Sequence, residues 1–212
     1  PYIVVNADGN TITFIGTYLD RSTKQFCNPN TSKPIENLNS KIPKIGSDLF
    51  IQLLTQRLPI FENFNNQIKE KKIIVLCNVM GLNLFRNIGA DIDSDYELTL
   101  DNCLKMIAIY FRFYSNIPVV IMGETGCGKT SLIKYMSLLL KRNFQHNLIH
   151  VKIHGGTSAE EIQARLEEAE ELSRKNYQLL EPSLQSKKHI ITVLLFFDEA
   201  NTTEHVGLIK EM

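Results

Sequence analysis

Apolar positions fall into short β-branched runs in some stretches and recur three and four residues apart in others, and the alternation of these two patterns lays out the chain. In YIVVNADGNTITFIG, β-branched runs on either side of Asp8-Gly9 predict two strands joined by a turn, a hairpin too small to hold a core alone. From Arg21 to about Ser47 the chain is rich in Asn, Pro, Ser, Thr and Lys with no apolar period, which reads as an exposed, mobile linker or long loop. Ser47 is placed to cap a short helix, DLFIQLLTQRL, with Pro59 just past its end. KKIIVLCNVMGL fits a strand by its β-branched content and a helix by its length and the Gly81 that follows; helix is the preferred reading.

The second half is more regular. In LTLDNCLKMIAIYFRFY, Thr99 can cap a helix whose Leu100, Cys103, Leu104, Ile107, Ala108 and Phe111 recur at helical spacing. Met106, Ile109, Tyr110 and Phe113 make the opposite side apolar too, so this helix is expected to be covered on more than one side, between two units. Ile117 to Met122 is a continuous apolar run of the kind found in a parallel strand buried on both faces. SLIKYMSLLLK then reads as a helix, HNLIHVKI as a strand, HGGTS as a turn and AEEIQARLEEAEELSRKNYQLLE as a helix. Ser158 with Glu161 can form a capping box at the start of that last helix. Its face of Glu160, Glu161, Glu167, Glu168, Glu170 and Glu171 is read as solvated. Ile190 to Phe197 is a further strand, so the overall class is α/β: a parallel sheet flanked by helices, preceded by a partly irregular segment with a hairpin and helices. The domain division drawn from this is an N-terminal segment over 1–90 and a second domain over 91–212.

Composition narrows the classes. The hydrophobic fraction of 43% and charged fraction of 22% are those of a folded, soluble domain. Lys plus Arg and Asp plus Glu both number 23, so no basic excess recruits nucleic acid, and no apolar run reaches the length of a transmembrane span. Cys27, Cys77, Cys103 and Cys127 lie far apart with no CxxC pair, which argues against zinc and against a secreted disulfide scaffold and for reduced thiols in the cytoplasm. Pro1 and Met212 read as cut ends.

The chemistry sits between the strand-like run at Ile117 and the helix after it. Gly123, Glu124, Thr125, Gly126, Cys127, Gly128, Lys129 and Thr130 fit GxxxxGK[ST], the Walker A phosphate loop, and Ser131 continues it into the helix. The glycines permit a backbone that turns several N–H groups inward at the positive end of the following helix, a nest for the phosphates of ATP. Lys129 supplies a cation for the β and γ phosphates, and Thr130 a hydroxyl for Mg²⁺. After Ile190 to Phe197 comes Asp198-Glu199, the Walker B arrangement: carboxylates at a buried strand end are costly unless a cation or hydrogen bonds receive them. Asp198 is assigned to the Mg²⁺ shell and Glu199 to polarising the water that attacks the γ-phosphate. Cys127 is read as a small filler of the loop, with a redox-sensitive thiol as the other reading.

IPVVIMGETGCGKTSLIKYM, the KIHGGTS turn and FFDEANTTEHVGLIKEM resemble a P-loop AAA+ module of the dynein- and midasin-related branch. With YELTLDNCLKMIAIYFRF and in this order, the segments resemble the mysterin family of giant AAA+ E3 ubiquitin ligases over approximately residues 95 to 212. The resemblance implies a ring-like array in which neighbouring AAA units of one polypeptide are this module's partners. The ubiquitin machinery is implied elsewhere in that polypeptide, since no zinc-ligand pattern of a ligase occurs here. It also implies two finer roles: Asn201, at the branch's DExN asparagine, orienting the γ-phosphate or Glu199, and His154 acting as a switch on Glu199. Both have plainer alternatives, a helix-capping Asn and a strand-capping His. The third core strand with its sensor, an arginine finger and a helical lid are expected beyond Met212, so the chain alone is expected to hydrolyse ATP poorly. Residues 1–90 are read as the possible end of a preceding AAA unit. Two other functions compete with an ATPase: a non-hydrolysing ATP-bound strut, disfavoured by Glu199, and a different P-loop NTPase, with no NKxD in view to favour GTP.

Overall fold

The computed structural model describes residues 2–9, 12–23, 25–36, 62–82, 92–141, 144–185 and 190–200. It divides into two compact units, one within 1–91 and 97–108 and the other within 92–96 and 109–212. The helix expected at 48–58 and its Ser47 cap lie outside the described residues.

In the first unit, β1 (Tyr2–Val5) and β2 (Ile12–Ile15) form the expected antiparallel hairpin, with Tyr2 opposite Ile15 and Val5 opposite Ile12. Buried Thr13 donates its hydroxyl to the Asn6 side-chain oxygen at 2.7 Å, so the polar groups inside the hairpin satisfy each other. A second pair, β3 (Tyr18–Leu19) with β4 (Phe26–Cys27), corrects the linker reading for residues 21–23 and 25–36. The polar residues there spend their side chains on turns: Asp20 Oδ1 accepts from the Thr23 N–H and Asn28 Oδ1 from the Asn30 N–H. Phe26 and Cys27 are buried, and a further bridge joins Cys27 to Pro34. Composition alone does not separate a tight Asx-rich hairpin from a solvated linker.

The ambiguous segment is a helix, α1 (Lys69–Met80), stopped by Gly81 in the left-handed region at φ 66°, with the Gly81 and Leu82 N–H groups both closing on the Cys77 carbonyl. A Cβ on Gly81 would stand 2.7 Å from the Ala7 Cβ, so this glycine is required both by its dihedral and by the closeness of the hairpin turn. Lys72 is buried in this unit and donates to the Leu98 carbonyl at 2.9 Å.

The helix α2 (Leu100–Tyr114) is capped as expected, the Thr99 hydroxyl oxygen accepting from the Asn102 N–H. It ends in a Schellman turn: Asn116 at φ 55° donates to the Phe113 carbonyl and Ile117 to the Arg112 carbonyl. This overturns the strand expected at Ile117 to Met122. The Ile117 N–H is spent on closing the helix, no strand is formed over 117–124, and Val120 and Met122 are 84% and 88% exposed. An apolar run becomes a strand only where a ladder receives its backbone, and among the described residues none does.

The rest of the second unit follows the expected order: α3 (Lys129–Leu140), β5 (Leu148–Lys152), α4 (Ala159–Gln178), the short α5 (Pro182–Gln185) and β6 (Leu194–Asp198). β5 and β6 are parallel, Leu148 opposite Leu194 and Lys152 opposite Asp198. β6 begins four residues later than the apolar run suggests, because its partner strand begins only at Leu148. One face of this sheet, carrying Ile149, Val151, Ile153, Leu195 and Phe197, packs on Ile162 and Ala169 of α4. The class is therefore α/β with a parallel sheet flanked by helices, as expected.

Candidate functional site

The glycine loop lies at the N-terminus of α3. Gly126 and Gly128 sit in the left-handed region at φ 81° and 83°, and an added Cβ would meet nothing within 4 Å at either, so it is the dihedral that demands glycine. At Gly123 the demand is spatial: a Cβ there would stand 2.9 Å from the Cys127 Sγ. Gly128 is the N-cap of α3 and offers no side chain to the first turn, so that turn is left without a side-chain cap. Glu124, Thr125, Cys127 and Ser131 are all exposed. The Lys129 ammonium donates to the Gly123 and Glu124 carbonyls at 2.9 and 2.8 Å, tying the start of the loop to the helix.

Sixty-eight residues later in the chain, the end of β6 reaches the same place. The Thr130 hydroxyl donates to Asp198 Oδ2 at 2.8 Å. A residue not foreseen from the sequence joins them: His150 Nε2 lies 3.1 Å from the same oxygen, its ring stacked on Phe196 at 5.2 Å between centroids. The signal was present in LIHVK, where burial alternates; Ile149 and Val151 turn to α4, so His150 must lie on the other face, with Phe196 and Asp198. Burial alone raises the Asp198 carboxyl, but the hydrogen bonds from Thr130 and His150, the His150 charge and the Glu199 N–H outweigh it and hold it below the ordinary value. Glu199 follows in the left-handed region at φ 59° and is exposed. The Asp198 carbonyl accepts from the Ile153 N–H, which fixes the strand end.

His154 is exposed at the start of the HGGTS turn. Its Nδ1 accepts from the Gly156 N–H at 3.2 Å, and its own N–H donates to the Thr157 hydroxyl oxygen at 3.0 Å, contacts that build the turn. Asn201 lies outside the described residues. Thus the structure gathers Lys129, Thr130 and Asp198 at one helix end and adds His150.

Whether these residues suit a magnesium nucleotide is a question of donor chemistry. Among the described residues no group of three or more His, Cys, Asp or Glu side chains converges as a metal cage. One hydroxyl and one carboxylate at a helix N-terminus instead fit Mg²⁺, which keeps several waters and takes few protein oxygens alongside phosphate. No helix among the described residues is long and apolar enough to cross a membrane.

The family model described as "RNF213 AAA domain" matches residues 96–212. The whole chain is similar to E3 ubiquitin-protein ligase RNF213 of Homo sapiens, at 40% identity over 216 residues, and of Mus musculus, at 39%. It is 38% identical to E3 ubiquitin-protein ligase rnf213-beta of Danio rerio. In each case the chain spans about 4% of the relative's length. With a loop at a helix start, a parallel sheet ending on it and a match over more than half the chain, the protein belongs to the RNF213 AAA domain family.

Proposed function

We propose that residues 91–212 are the N-terminal part of an AAA+ module that binds and hydrolyses ATP within a larger mysterin-type E3 ubiquitin ligase. In this reading the module couples its nucleotide state to motion against neighbouring AAA units of the same polypeptide. The observation that carries the reading is the hydrogen bond between Thr130 and Asp198, which joins a Walker A loop to a Walker B strand end across 68 residues of chain.

Each residue takes a role that its chemistry allows. Loop amides from Gly123 to Gly128 and the first N–H groups of α3, at Lys129, Thr130 and Ser131, receive phosphate oxygens. The Lys129 ammonium exchanges the two loop carbonyls for the β and γ phosphates, an exchange open to it because its four-carbon stem is flexible. Thr130 and Asp198 hold Mg²⁺. When bound, that ion supplies neutralisation of the phosphate charge. Glu199 orients and deprotonates the attacking water, Asn201 orients Glu199 or the γ-phosphate, and His154 acts as the switch on Glu199. The arginine that completes the charge shell comes from another part of the polypeptide.

In the full-length polypeptide, Lys129→Ala is expected to lose nucleotide at this module. Glu199→Gln is expected to keep it and to lower the module's turnover by about a hundredfold or more. Nucleotide content and phosphate release read both. Equal turnover with Glu199→Gln would turn the reading into a structural ATP strut, and unchanged turnover with His154→Ala would remove the switch.

A further inference from the structure

We propose that His150 is a positioning residue for the magnesium site: its Nε2–H holds Asp198 Oδ2 against the Thr130 hydroxyl, so that the two oxygens stand ready as one ligand pair. The inference rests on the magnesium nucleotide reading above. Three contacts carry it. Thr130 Oγ1 at 2.8 Å and His150 Nε2 at 3.1 Å address the same oxygen of Asp198, and the His150 ring is itself held at 21° to the Phe196 ring, 5.2 Å away. An ionised carboxylate only accepts, so the imidazole nitrogen facing it must carry the proton. That bond fixes the ring's orientation as well as the carboxylate's rotation. Both side chains are partly sheltered, at 29% and 19% exposure, which strengthens the bond relative to one in open solvent.

The register explains why it is this residue of β5 that reaches the aspartate side chain. His150 is opposite Phe196 on the parallel partner, and Asp198 lies two residues further on the same face. Lys152, directly opposite Asp198, is exposed. A group that orients a ligating carboxylate from behind typically affects metal affinity by about 10–100-fold, without touching the metal.

The test uses the full-length polypeptide, a fluorescent ATP analogue and a Mg²⁺ titration. His150→Phe keeps the ring on Phe196 and removes the donor; His150→Gln keeps a donor at similar reach. The expected result is that His150→Phe raises the Mg²⁺ concentration for half-maximal binding about tenfold and leaves binding in EDTA unchanged, while His150→Gln stays within about threefold of wild type. In an Asp198→Asn background, His150→Phe should add no further shift, because the effect passes through the carboxylate. Should the phenylalanine variant fail to fold, His150→Leu replaces it. An unshifted Mg²⁺ midpoint in the donor-less variant, or an equal shift in His150→Gln, overturns the positioning role alone. Failure of the wild type itself to bind the analogue with any Mg²⁺ dependence overturns the nucleotide reading together with it.

Discussion

At the scale of single residues, what distinguishes this chain is how polar side chains are consumed locally. Asp20 shows this: the Ser22 hydroxyl first, then the Thr23 and Ser22 N–H groups, lower its carboxyl from 3.8 to about 2. Because the folded value lies below the unfolded one, the unfolded chain binds more protons between them. The Asp20 contribution is thus complete above 3.8 and is lost as pH falls toward about 2. Urea midpoints of the wild type should fall more steeply below about pH 4 than those of Asp20→Asn. Parallel acid limbs in the two proteins would mean that Asp20 titrates alike in the folded and the unfolded chain. Most of the candidate site was legible at this scale, since glycines at 123, 126 and 128 followed by Lys129 and Thr130 fit the spacing of a phosphate loop. The face of His150 can be read from the alternation in LIHVK, but its role cannot, because that depends on which strand lies beside it.

At the scale of elements, helix ends follow from the local sequence and strand starts do not. Ser158 accepts from the Glu161 N–H at 3.2 Å, and Glu160 and Glu161 lie in the favourable first turn of α4. Ser158→Ala should therefore cost about 1 kcal/mol, read as a lowered urea midpoint at unchanged slope, whereas Ser158→Asp should cost little. The pairs Arg165–Glu168, Arg174–Glu170 and Lys175–Glu171 are exposed and screened by salt, so the cap outweighs any one of them. Caps are local chemistry within three or four residues, which is why Thr99, Ser158 and Gly81 act as foreseen. Strands answer to partners far away in sequence: β6 starts where β5 permits, and the apolar run at Ile117 forms no strand.

At the scale of the whole molecule, the four cysteines report on packing. Cys27, Cys77 and Cys103 are buried, and burial pushes the latter two up to about 12, while Cys127 is exposed in the glycine loop. Alkylation of the native full-length polypeptide, mapped by mass spectrometry, should modify Cys127 first, and the other three only under denaturing conditions. Magnesium ATP should slow the reaction at Cys127. Modification of Cys77 or Cys103 at the rate of Cys127 would contradict the described cores. The sequence by itself determined the α/β class, the helix caps, the glycine loop before α3 and the acidic pair after the last strand, because each depends on neighbours a few residues away or on a period of two or 3.6. Tertiary structure alone decided the second hairpin at residues 18–27, the exposure of Val120 and Met122, and the meeting of Thr130, His150 and Asp198. Those depend on strand register and on backbone partners distant along the chain, quantities that no local pattern encodes.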